Sequence, residues 1–131
     1  MRTPERMAQT MQFWEHIDEY NVFISELVID EIRGASQPLQ DKMFGKISDF
    51  TSLAITDEVK YLAEEYIKNG IFPEKYSADA LHTAFSSTNQ IGILVSWNFT
   101  HLVKVKTRRM VALVNAIHNY SSVEIITPPE L

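Results

Sequence analysis

The sequence contains no cysteine, which excludes disulfide scaffolds, thiolate zinc sites and cysteine nucleophiles and fits a reducing compartment. Glycine is sparse as well: there are four in 131 residues, none arranged as a phosphate-cradling loop, a nucleophile elbow or a dinucleotide fingerprint. NTP hydrolysis, serine-esterase and Rossmann dehydrogenase chemistry therefore have no support. No apolar run approaches the ~20 residues of a membrane span, and the opening MRTPERMAQTMQFWEH is too polar for a secretory signal; the expectation is a cytoplasmic protein. Positive charge is also short. Twelve Lys and Arg stand against seventeen Asp and Glu, a net charge of -5, which argues against broad adhesion to nucleic acid because phosphate binding is driven by cations that release counterions. One dense basic cluster remains, Lys104, Lys106, Arg108 and Arg109. It reads either as a phosphate-binding patch or as the solvated start of a helix.

What is present is enough for one core. A hydrophobic fraction of 45% over 131 residues is that of a single globular domain, here residues 1–131, which needs neither disulfides nor a structural metal to fold. Thr3, Pro4 and Glu5 have the order of a helix start, followed by Met7, Met11, Trp14 and Ile17 at helical spacing. Val22 to Ile24 reads as a strand, Ser25 as the cap of a helix with Leu27, Val28 and Ile32 inward, and Gly34 as its left-handed end. Pro38 restarts a helix with Leu39, Met43, Ile47 and Phe50 on one face, and Ser52 to Ile55 reads as a second strand. Thr56 caps the most periodic helix, with Val59, Leu62, Ala63, Tyr66 and Ile67 inward and Gly70 at its end. Ser77 is read as the cap of a further helix fading near Asn89 and Gly92. A strand follows at Ile93 to Trp97, then a helix over about Thr107 to Asn119 with Met110, Leu113, Val114 and Ile117 inward, and a last strand at Val123 to Ile126.

Strands alternating with helices, with no hairpin signal between them, predict an α/β fold: a three-layer arrangement in which a mostly parallel sheet of about four strands carries helices on both faces. Ligands of such sheets bind beyond the carboxyl ends of the strands. Three polar residues fall there. Glu31 lies in the helix after the first strand, Asp79 opens the helix before the third, and Asn98 follows the third strand directly. Two carboxylates and an amide oxygen are hard donors suited to Mg²⁺ or Mn²⁺, and such an ion activates water against a phosphodiester. Each residue also has a plainer reading. Glu31 belongs to a charged helix face with Glu26 and Asp30, Asp79 suits a helix N-terminus on dipole grounds, and Asn98 can make the turn after a strand. His82 follows Asp79 by three residues and His101 follows Asn98 by three; His82 with Asp79 could form a ligand or acid/base pair, but a hydrogen-bonded structural histidine is the simpler reading. His16 and His118 carry no pattern.

The stretches NVFISELVIDEI, YSADALHTAF and ILVSWNFTHLVKVKTRRMVALVN, followed by SVEIITPPEL, together resemble the PIN-domain proteins, many of which are ribonuclease toxins of toxin–antitoxin pairs. The likeness is most specific from Tyr76 onward. It implies a metal-dependent endoribonuclease in which Glu31, Asp79 and Asn98 match the second, third and fourth acidic positions, with Mg²⁺ or Mn²⁺ as cofactor, RNA as substrate, and an antitoxin protein or a second copy as partner. His101 falls where a related subgroup also has histidine, in a WNF-x-H pattern. The departure is at the start. PIN domains open with a central strand ending in an aspartate, the first metal ligand, and this sequence begins at the helix that follows, as though N-terminally truncated through a misplaced start or decay of the gene. The resemblance thus implies impaired metal binding, with a non-catalytic interaction module as the alternative.

Overall fold

The structure, a computed structural model, describes residues 4–96 and 102–131. Thr3, Trp97, Asn98 and His101 lie outside the described residues. Helix α1 (Pro4–His16) runs through a short 3₁₀ turn at Ile17–Glu19 into β1 (Phe23–Ser25). Helices α2 (Glu26–Arg33) and α3 (Gln37–Ile47) lead to β2 (Thr51–Leu53), then α4 (Asp57–Lys68) and α5 (Ser77–Thr88) to β3 (Ile93–Val95). Helix α6 (Val105–Ile117) and β4 (Glu124–Ile126) complete the order, with a final turn at Pro128–Glu130. The elements expected from periodicity are present; each strand has three residues, β1 lying one residue later than the expected Val22 to Ile24 and β2 starting one residue before the expected Ser52. Among the described residues no helix is long and apolar enough to cross a membrane.

All the strand pairing is parallel, as the helical crossovers require, but it forms two sheets: β1 pairs with β2, and β3 with β4. No ladder joins β1 to β3 among the described residues. The two halves are unequally packed. Val59, Leu62, Ala63 and Tyr66 of α4, Ala80, Ala84 and Phe85 of α5, Val111 and Val114 of α6 and Ile125 of β4 form one buried cluster, while α3 buries no residue at all. The inward face expected for α3 is therefore not formed: Leu39 and Met43 are exposed.

The first half is instead held by α1. The Trp14 ring stacks on Phe50 at 6.2 Å with the Lys46 ammonium 5.0 Å above it, a cation–π contact. On its other side α1 packs against the C-terminal turn, and the Tyr20 hydroxyl donates to the Leu131 carbonyl at 3.1 Å. Met11, expected inward, is exposed, because the helix turns Phe13 and Ile17 toward the interior instead.

Helix ends follow local chemistry closely. Ser25 and Thr56 accept from the amides of Val28 and Val59, as N-caps do. Ser77 is the first residue of α5 rather than its cap; Tyr76 takes that place with no side-chain bond, because a 3₁₀ turn over Glu74–Tyr76 already feeds the helix. Helices α4, α5 and α6 end alike, with Gly70, Gln90 and Asn119 at positive φ. In each the next residue, Ile71, Ile91 or Tyr120, donates back to the carbonyl five residues earlier and turns its side chain into the core, the Schellman arrangement. Gly34 does not do this: its φ is -79°, an ordinary right-handed end.

A buried polar network ties these three helices. The Tyr66 hydroxyl donates to Asn115 Oδ1 and lies 3.1 Å from Ser87 Oγ; Asn115 Nδ2 donates to Ser87 Oγ at 2.9 Å and to the Ser121 carbonyl at 3.1 Å. Asn115 sets the rotation of α6. Thr107, Val111, Val114 and Asn115 face inward, so Leu113 and Ile117, expected inside, are exposed. Beside this network, His118 Nε2 lies 3.4 Å from Glu65, with the Tyr61 ring edge-on to it.

Burial pushes the Tyr66 phenol up from 10.0 to about 12, against the opposing pull of its bonds to Ser87 and Asn115. The folded chain thus keeps a proton that the unfolded chain releases near pH 10. The stabilisation is complete below pH 10 and is lost as pH rises toward about 12, at up to about 1.4 kcal/mol per pH unit. Replacing Tyr66 by Phe should cost about 1–3 kcal/mol at pH 7, because Asn115 loses its donor, and should flatten the alkaline fall. Urea denaturation of both chains from pH 7 to 11.5 checks this; equal alkaline slopes would contradict it.

Candidate functional site

A cavity of about 610 Å³ lies between β1 and β3. Val22 to Ser25 form one side and Gly92 to Ser96 the other, with walls from Phe13 of α1, Ile17 of the turn after it, Val28 of α2 and Phe85 of α5. It occupies the gap at which both strand pairs end.

Of the expected carboxylates, Asp79 lines this cavity and Glu31 reaches it through His82. Glu31 sits in α2, six residues beyond the end of β1; Asp79 is in the first turn of α5 and lines the cavity together with His82. His82 Nε2 lies 3.0 Å from Glu31 Oε1, the two side chains being 21% and 55% exposed. The bond joins the last turn of α2 to the middle of α5; Ser25 leads directly from β1 into α2, and residues 89–92 lead from α5 into β3.

Mg²⁺ is commonly held by only one or two carboxylates with water in its other positions, and Glu31 and Asp79 are donors of that type. The set is thin, however: among the described residues no three His, Cys, Asp or Glu side chains converge as a metal-binding group, and His82 occupies one oxygen of Glu31. The pairing of His82 with Asp79 weighed from sequence is replaced by one with Glu31, 51 positions away, which no local spacing encodes. Asn98, the third candidate, lies outside the described residues.

The basic cluster is divided. Lys104, Lys106 and Arg109 at the start of α6 are exposed, while the Arg108 guanidinium donates to the Ile125 carbonyl at 3.3 Å and so serves β4. Leu102, two residues before Lys104, lines the cavity, which keeps the exposed cations close to it. The groove lining itself, Phe23 and Ile93 above all, had no signal in the sequence; strands of three residues are too short for alternation to mark a face.

No protein-family model, no curated protein and no solved structure matches this chain. The chemistry of the site is therefore read from its side chains alone.

The Glu31–His82 contact is partly exposed, a class of ion pair worth about 0–1 kcal/mol. Replacing His82 by Ala should speed amide exchange in α2 by up to about fivefold while leaving the midpoint of global unfolding nearly unchanged. Hydrogen exchange with a parallel melting curve checks this; a large loss of global stability with α2 unaffected would contradict it.

Proposed function

We propose that this chain is a PIN-like scaffold for divalent-metal-dependent hydrolysis of RNA, of the kind found as the toxin of a toxin–antitoxin pair. On this reading the two parallel strand pairs belong to one three-layer arrangement with helices on both faces. The observation that supports it is the contact of His82, which lines the cavity together with Asp79, with Glu31 of α2.

Glu31 and Asp79 would hold the ion. Bound there, Mg²⁺ or Mn²⁺ supplies an activated water and neutralises charge developing on the phosphodiester. The protein side of the chemistry falls to named groups. His82 orients the Glu31 carboxylate and competes for it, which sets a modest affinity. Lys104, Lys106 and Arg109 supply ammonium and guanidinium donors for RNA phosphates next to the site, and a chain of net charge -5 concentrates its attraction for phosphate in that patch. Asn98 would orient water or complete the ligand set. An antitoxin protein or a second copy of the chain is the partner this reading implies.

Purified 131-residue chain incubated with a mixed RNA pool should cleave with Mn²⁺ and not with chelator. Asp79→Asn should reduce the rate by 10-fold or more, the scale at which disturbing a metal's supporting groups is felt. Cleavage insensitive to chelator and to Asp79→Asn would contradict the proposal, as would its absence from folded protein at millimolar Mn²⁺.

A further inference from the structure

The groove between β1 and β3 is bounded by backbone as well as by side chains. The Val22 carbonyl accepts from Thr51 of the β2 side, so by the alternation of an extended strand Val22 and Ile24 present their amide groups to β2, and Phe23 and Ser25 present theirs to the groove. On the other side the Gly92 carbonyl accepts from Glu124 and the Ser96 amide donates to Ile126. Gly92, Leu94 and Ser96 therefore face β4, and Ile93 and Val95 face the groove. Two ladder edges thus look at each other across one cavity of about 610 Å³, and among the described residues no strand pairs with either. Open edges of this kind are templates for another extended chain.

We infer that this groove binds an extended, apolar peptide segment of a separate protein, basic at one flank, which inserts as a strand between β1 and β3 and joins the two half-sheets. The apolar character follows from the walls. Phe13, Val28 and Phe85 come from three different helices and Ile17 from the turn after α1, so an inserted strand meets hydrocarbon from several elements, which favours a Val, Ile or Leu run. The sides extend over Val22–Ser25 and Gly92–Ser96, which accommodates about five residues at ~3.3 Å each. Phe23 and Ile93, 40% and 37% exposed, would be covered.

The basic flank follows from charge at one end. At the amino end of β1 the groove continues into a second cavity of about 270 Å³ that shares Ile17 and Tyr20 to Phe23 and adds Asp18 and Asp49. At the other end Asp79 and the Glu31–His82 pair stand against the exposed cations of α6, so the charge there is mixed. An apolar strand leaving past the amino end of β1 thus meets carboxylates, which favour Lys or Arg and disfavour acidic neighbours. A second copy of this chain is a poorer occupant, since the described strands are already paired and its net charge is -5. The inference goes beyond the nuclease reading and does not depend on it.

The test uses the ¹⁵N-labelled 131-residue chain and a synthetic nonapeptide with a five-residue Val/Ile run between paired lysines. At saturating peptide the amides of Phe23, Ser25, Ile93 and Val95 should exchange at least 10-fold more slowly. The same peptide with proline at its centre, which cannot donate to a ladder, should protect none of them. A double variant, Asp18→Lys with Asp49→Lys, should bind the lysine-flanked peptide at least fivefold more weakly and a glutamate-flanked version more tightly, as read by fluorescence anisotropy. Protection at only one of the two edges, or at neither, would overturn the inference. So would protection of all four amides that rises with chain concentration without peptide, which would assign the groove to a second copy.

Discussion

The fold depends on a single buried polar junction, in which the Tyr66 hydroxyl, the Asn115 amide and the Ser87 hydroxyl satisfy one another at the meeting point of α4, α5 and α6. A half-satisfied network of this kind would be worse than hydrocarbon. Here no buried side-chain polar atom among the described residues lacks a partner, so the junction selects one packing of three helices. Asn115 Nδ2 also reaches the Ser121 carbonyl, and thereby sets the chain's entry into β4. The large apolar cluster and the β3–β4 pair form around this point.

The β1–β2 pair has no such anchor. Leu53 of β2 and Ile55 pack, partly buried, against the main cluster, and the pair also rests on the Trp14–Phe50 stack, the Glu31–His82 contact and the tie from Tyr20 to Leu131. The groove is the seam between the two strand pairs. It is lined by hydrocarbon and backbone edges together with Asp79 and His82.

Local chemistry was largely legible in the sequence. The caps at Ser25 and Thr56, the inward face of α4 and the parallel connectivity all follow from residue type and short-range spacing, and the structure contains them. Rotation of helices was less so. In α6 the apolar stripe through Leu113 and Ile117 lost to a face carrying Thr107 and Asn115, because a polar side chain with buried partners on other elements outweighs one more exposed leucine. In α3 the stripe exists but nothing covers it. The candidate carboxylates Glu31 and Asp79 were found by their position relative to strand ends, whereas the partnership of Glu31 with His82 depends on how two distant helices meet. Nor does hydrophobic pattern state which strands pair, so the division into two sheets was outside its reach.

The central claim is that the site of Glu31, Asp79 and His82 is where this chain meets a divalent cation. It is tested most directly by titrating the ¹⁵N-labelled protein with substoichiometric Mn²⁺ and mapping paramagnetic broadening. The account predicts broadening centred on the amides of Glu31, Asp79 and His82 and lost in Asp79→Asn. Broadening centred elsewhere, for example at Asp18 and Asp49, or spread evenly over the acidic surface, would contradict it.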